Sequence, residues 1–115
     1  MGHSGMIDHL LAQCTVTDLD RAERWYRDLF ERGPDARPMS GLLEWHLGHG
    51  FGLQVWSEPE RAGGSTVVLG ESELDAAATR LTAGGFVHDG PQPGGGARIL
   101  QLTDPDGNRV VLFGA

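Results

Sequence analysis

Apolar residues in this chain alternate with polar ones in some stretches and recur every three or four positions in others, and the two regimes succeed each other twice. From Leu10 to Val16, Ala12, Cys14 and Val16 alternate with Leu11, Gln13 and Thr15, the period-two signature of a strand. Ala22, Trp25, Tyr26, Leu29 and Phe30 then follow at helical spacing. Asp20 with Glu23 three residues on reads as an N-cap and capping box, and Gly33-Pro34 as the stop. Short strands are expected at Ala36 to Ser40, Leu42 to Leu47 and Phe51 to Trp56, the last two joined by a turn at Gly48-His49-Gly50.

After a polar linker at Glu58 to Gly64 the order returns. Ser65 to Gly70 reads as a strand. Leu74, Ala77, Ala78 and Leu81 mark a helix closed by Gly84 or Gly85. A short strand is expected at Phe86 to His88 and a flexible loop at Pro91 to Gly96. Strands at Ala97 to Thr103 and Arg109 to Phe113 flank the turn Asp104-Pro105-Asp106-Gly107-Asn108. The repeat is also visible in the residues themselves. Thr17 to Asp20 is echoed by Ser72 to Asp75, and His49 to Val55 by Asp106 to Leu112. Two β-α-β-β-β units, about 7–57 and 65–114, each too small for its own core, fit one α+β domain spanning 1–115.

Composition narrows the functions open to such a domain. With 115 residues, 39% of them hydrophobic, the chain carries enough apolar side chain for a core, and 18 glycines suit many tight turns. The net charge of −7, with nine arginines and no lysine, argues against nucleic acid as a partner. No apolar run reaches the ~20 residues that span a bilayer, and no secretory signal is visible. A lone cysteine, Cys14, suits a reducing cytoplasm. Its apolar setting reads as a buried structural thiol.

The stretches Val16 to Ala22 with Trp25-Tyr26, Leu74 to Ala77 with Leu81 and Gly84-Gly85, and Thr103 to Arg109 resemble the vicinal oxygen chelate superfamily of glyoxalase I, bleomycin resistance proteins, fosfomycin resistance enzymes and extradiol dioxygenases. The resemblance covers nearly the whole chain. It implies two βαβββ modules forming a curved mixed sheet around a cleft, the glyoxalase/bleomycin resistance-like fold. It also implies a homodimer, with modules packed within a chain or exchanged between chains. It does not choose between enzymes and plain binders.

Strand parity then assigns the faces. Ala12, Cys14, Val16, Leu43, Trp45, Leu47, Leu53, Val55, Val110 and Leu112 are expected under the helices. Leu11, Gln13, Thr15, Glu44, His46, Gln54, Trp56, Thr66, Val68, Ile99, Gln101, Arg109, Val111 and Phe113 are expected on the cleft wall. From these, Gln13, Glu44, His46, Gln54, Trp56, Gln101, Arg109 and Phe113 are the candidate ligand-binding residues. Trp56 offers a ring for a flat or cationic ligand, and His46 beside Glu44 is a candidate base or a simple hydrogen-bonding group.

In metal-dependent relatives the ligands sit on the first and last strands of each half. The matching positions here hold Leu11, Gln54, Thr66 and Val111, and Leu and Val offer no donor atom. Two routes to a metal remain: a bulge that slides His9 into the Leu11 position, or a relocated site on Glu44 and His46. His49 is expected to be solvated, and His3 and His88 have no evident partners. The expectation is a binder of a small organic, cationic or aromatic molecule with no cofactor and no metal. The alternative is a metal-dependent glyoxalase-like lyase, isomerase or dioxygenase.

Overall fold

The computed structural model describes residues 5–115; His3 lies outside them. Two four-stranded mixed sheets carry the chain. The first comprises β1 (Leu10–Val16), β2 (Ala36–Met39), β3 (Leu42–Gly48) and β4 (Phe51–Ser57), with α1 (Leu19–Phe30) between β1 and β2. Its spatial order is β1-β4-β3-β2, β1 running parallel to β4 and the rest antiparallel. A single 3₁₀ turn at Pro59–Arg61 leads into the second unit. There β5 (Thr66–Gly70), α2 (Leu74–Ala83), β6 (Gln92–Gly94), β7 (Ala97–Thr103) and β8 (Arg109–Gly114) repeat the topology in the order β5-β8-β7-β6. No helix among the described residues is long and apolar enough to cross a membrane.

Local chemistry explains where the elements depart from the sequence expectation. The N-cap of α1 is Asp18, not Asp20: its carboxylate accepts the Arg21 N–H at 3.1 Å, which satisfies one of the helix's free donors. Glu23 makes no capping box; it holds Arg27 and Arg37 instead. The helix stops before Gly33, because Glu31 turns left-handed at φ 62°. Phe86 to His88 forms no strand, and the edge strand β6 falls within the expected loop, at Gln92–Gly94. Pro93 is tolerated there because β6 pairs on one side only, with β7. Gly94 lies flat against Ile99, where a Cβ would stand 3.1 Å from a methyl group.

The faces fall as parity requires. Cys14, Val16, Leu43, Trp45, Leu53, Val55, Leu100, Leu102, Val110 and Leu112 turn toward the helices and join Tyr26, Leu29, Leu74 and Leu81 in one apolar cluster running through both units. On the other face Thr15 and Leu42 are buried nonetheless, and Thr15 marks a contact between the units. It lies buried at the joint between the units, its N–H 3.3 Å from Ser65 Oγ and its carbonyl accepting from Asn108 Nδ2 at 2.8 Å.

That joint is organised by the turn Asp104 to Asn108. Asp104 Oδ1 accepts the N–H groups of Asp106 and Asn108, each at 2.9 Å, while its Oδ2 accepts Tyr26 Oη at 2.7 Å and Asn108 Nδ2 at 2.8 Å. Asn108, fully buried, also accepts Ser65 N–H at 2.8 Å. One turn thus fastens α1, β1 and the start of β5. Burial pushes the Cys14 thiol up to about 11 and the Tyr26 phenol far above its ordinary range, so both keep their protons at neutral pH.

Candidate functional site

The first sheet's uncovered face carries a hydrogen-bonded row across three neighbouring strands. Gln13 on β1 stands opposite Gln54 on β4, which stands opposite Glu44 on β3. Residues in register on one face are close enough to bond. Gln13 Nε2 donates to Gln54 Oε1 at 3.0 Å, Gln54 Nε2 donates to Glu44 Oε2 at 2.7 Å, and His46 Nε2 lies 3.1 Å from Glu44 Oε1.

The carboxylate sets the direction of the row. The bond from Gln54, then that from His46, hold Glu44 below the usual carboxyl range, and outweigh the opposing effect of burial. An ionised carboxylate only accepts. Gln54 must therefore point its NH₂ at Glu44 and its oxygen at Gln13, and Gln13 must answer with its own NH₂. The row ends on Gln13 Oε1, an acceptor. His46, donating through Nε2, leaves Nδ1 as a second acceptor in its neutral form. The formal charge within the amide–carboxylate row is negative.

Beside the row lies a hollow of about 420 Å³, lined by His9, Leu11, Glu44, His46, Gly48, His49, Gly50 and Phe51, all from the first unit. Gly52, opposite Leu11 and His46, forms part of the same face. A Cβ there would stand 2.3 Å from the Trp45 carbonyl oxygen, so the strands approach only because the side chain is missing. The backbone of His46 is clamped on both sides. Its N–H donates to Asp35 Oδ2 at 2.6 Å, and its carbonyl accepts from Arg32, whose guanidinium is also 3.0 Å from Asp35.

The structure brings Gln13, Glu44, His46 and Gln54 together as a unit. Trp56 sits further along β4, opposite Thr15 and Leu42, with its indole N–H on Glu58 Oε1 at 3.0 Å and its ring over Gly41. Gln101, Arg109 and Phe113 belong to the second sheet, opposite Val111, Thr66 and Ile99 respectively. No hydrogen bond among the described residues joins these three to the first set. Sequence parity found the row but missed the residues that shape its surroundings. Gly52 is marked only as a glycine inside the expected strand Phe51 to Trp56, whereas Asp35, Arg32 and Glu58 reach the site from loops and edges that no periodicity marks.

The metal positions fail a chemical test. Leu11 and Val111 have no donor atoms, Thr66 offers a lone hydroxyl, and both ends of the Gln54 amide are already bonded within the row. β1 pairs with β4 in unbroken register from Leu10 to Val16, so no bulge moves His9 inward. His9 precedes the strand, exposed, with Nδ1 2.6 Å from Asp8. Glu44 and His46 bring only two side chains to a relocated site, and their donor atoms already face each other at 3.1 Å. Among the described residues, no three His, Cys, Asp or Glu side chains gather as a metal would require. His49 is exposed as expected, whereas His88 has partners after all: Gly90 N–H donates to its Nδ1 at 2.9 Å, and its Nε2 lies 2.9 Å from Thr82 Oγ1.

Comparison with known proteins places this geometry in context. The sequence profile of the Glyoxalase/Bleomycin resistance protein/Dioxygenase superfamily matches residues 6–112. Among solved structures, a glyoxalase / bleomycin resistance protein from Catenulispora acidiphila is 28% identical with a TM-score of 0.84, over 93% of this chain and 97% of that one. TnmS3, an antibiotic binding protein from Streptomyces sp. CB03234, is 24% identical with a TM-score of 0.81, over 97% and 98% of the two chains. A lactoylglutathione lyase from Agrobacterium tumefaciens is 20% identical with a TM-score of 0.80, over 100% and 96%. No curated protein matches the chain.

Proposed function

We propose a function from the premise that this chain belongs to the Glyoxalase/Bleomycin resistance protein/Dioxygenase superfamily. It is a metal-independent binder of a small organic molecule, held on the open face of the first sheet. The ligand brings hydrogen-bond donors or a positive charge to Glu44, Gln13 Oε1 and His46 Nδ1, and a flat portion to Trp56. The observation that carries this reading is the row Gln13–Gln54–Glu44–His46: it uses its own donors to fix one carboxylate and turns acceptors outward. The donor-poor set Leu11, Gln54, Thr66 and Val111 favours a binder over a metal enzyme, and the antibiotic-binding TnmS3 offers a parallel among proteins of this fold.

We infer that a second copy of the chain supplies the opposite wall. The hollow beside the row draws its lining from one unit only. Both open sheet faces expose apolar side chains: Leu11 at 40% on the first, and Val68 at 60% and Phe113 at 43% on the second. Apolar surface of this kind is covered in a homodimer. In that arrangement Gln101, Arg109 and Phe113 of one protomer face the row of its partner.

The test is equilibrium binding of bleomycin, a cationic aromatic probe, to protein stripped with a chelator. Binding that survives stripping, and weakens about ten-fold or more in Glu44→Gln and in Trp56→Ala, is expected, since each change removes one anchoring contact. Binding or lyase activity that appears only on adding a divalent metal would move the protein to the enzyme reading. Sedimentation tests the second copy: Val68→Asp should shift the chain from dimer toward monomer, and a wild-type chain that is monomeric at all concentrations contradicts it.

A further inference from the structure

The helix side of the molecule holds a second recess, remote in composition from the row on the first sheet. Two adjoining hollows of about 410 and 460 Å³ share Asp28, Gly84 and Phe86. Trp25 and Phe86 line the first, packed edge to face with their ring centroids 5.3 Å apart and their planes at 64°. Val87 lines the same hollow and is 92% exposed, an apolar side chain with no intramolecular cover.

In the first hollow Asp28 is the one charged lining residue, whereas the second also holds Arg27, Glu31 and Arg80. α2 ends here at its cap, Gly84, and a helix C-terminus presents its negative end. Its last turn is closed by the N–H groups of Gly84, Gly85 and Phe86, which bond the carbonyls of Arg80, Thr82 and Leu81. Asp28 stands on the opposite wall, exposed, and among the described residues its carboxylate makes no ion pair and no side-chain hydrogen bond. The two cations of the second hollow are held by neighbouring groups. Arg27 is 2.9 Å from Glu23; Arg80 donates to the carbonyls of Asp28 and Leu29 and lies 3.4 Å from Glu31. Aromatic walls and an unpaired carboxylate in the first hollow together attract a compact organic cation.

We propose that this recess is a second small-molecule site, selective for organic ammonium ions carrying an apolar or aromatic group. The charged nitrogen lies at Asp28, and the apolar group packs against Trp25, Phe86 and Val87. The site is independent of the row on the first sheet.

The experiment is a titration of ¹⁵N-labelled protein with 2-phenylethylammonium, followed by the Trp25 indole and the Gly84, Gly85 and Phe86 amides, with 2-phenylethanol as the uncharged counterpart. Saturating shifts at these groups are expected for the ammonium ion, and affinity about five-fold or more lower for the alcohol. Asp28→Asn, a change at an exposed helix position, should lower affinity for the ammonium ion and leave that for the alcohol unchanged. Absence of saturable shifts at these groups, equal binding of the two probes, or indifference to Asp28→Asn would each overturn the proposal.

Discussion

Replacing Asn108 by alanine should destabilise this protein strongly. Its side chain is fully buried and makes three bonds of 2.8 Å, to Ser65 N–H, Thr15 O and Asp104 Oδ2. Neutral bonds of this kind contribute about 1 kcal/mol each, and the one to a carboxylate about 1.5–3 kcal/mol. Two of the abandoned partners keep another donor. Thr15 O still accepts Gly63 N–H at 3.1 Å, and Asp104 Oδ2 still accepts Tyr26 Oη at 2.7 Å. Ser65 N–H has no such replacement. The expected loss is therefore about 3–4 kcal/mol, including the small cavity left behind. That is a large share of the ~5–15 kcal/mol that stabilises a typical domain. Urea unfolding at 25 °C measures it, with an unchanged m-value confirming that only stability has moved. Asn108→Asp provides the companion test. It sets a second carboxylate against Asp104, so it should be at least as unstable as the alanine variant at pH 7 and should recover as acid restores a proton to it. A loss below about 1.5 kcal/mol for Asn108→Ala would refute the view that this side chain joins the two units.

Two further predictions follow from buried and half-buried groups. Arg37 grips Glu23 with two bonds, of 3.0 and 2.6 Å, and holds its carboxyl below the usual range against the opposing pull of burial. A depressed folded value means stabilisation that is complete above the unfolded value of ~4.3 and is lost as pH falls through the folded one. Glu23→Gln should thus cost about 1 kcal/mol at pH 7, discounted for the exposed Arg37, and the gap to wild type should close below pH ~4, as read by thermal melts across pH. Cys14, with its thiol raised to about 11 by burial, should resist a thiol reagent at pH 8 in the folded protein and react at once in denaturant; rapid labelling without denaturant would contradict its placement in the core.

The fold was largely legible because strand parity survives even in short, glycine-rich strands. Cys14 and Val16, Trp45, Leu53 and Val55 could be placed under the helices from alternation alone, and the structure puts them there. The same parity put Gln13, Glu44, His46 and Gln54 on one face, though not in bonding order; their register depends on strand pairing, which alternation does not encode. The edge strand β6 was hidden because Gln92-Pro93-Gly94 has almost no strand propensity and is held by pairing with β7. Helix boundaries slipped for a similar reason. Asp18 and Asp20 are both plausible caps by residue type, and only the bond to Arg21 N–H decides between them. Thr15 alternates onto the open face, yet Ser65 and Asn108 cover it from fifty and more residues away, a tertiary effect invisible in local pattern. His88 was misread likewise, since its partners Thr82 and Gly90 flank it across a helix end.

The central claim is that the first sheet's open face selects ligands by the direction of its hydrogen bonds and by the charge of Glu44. Benzamidinium and benzoate separate this cleanly, being nearly the same shape with opposite charge and opposite bonding roles. Each is titrated into chelator-stripped protein while the side-chain amide signals of Gln13 and Gln54 and the imidazole of His46 are followed by NMR. The account predicts saturable shifts with benzamidinium and none with benzoate. Benzoate binding as well or better at these groups, or binding of either that begins only when a divalent metal is added, contradicts it.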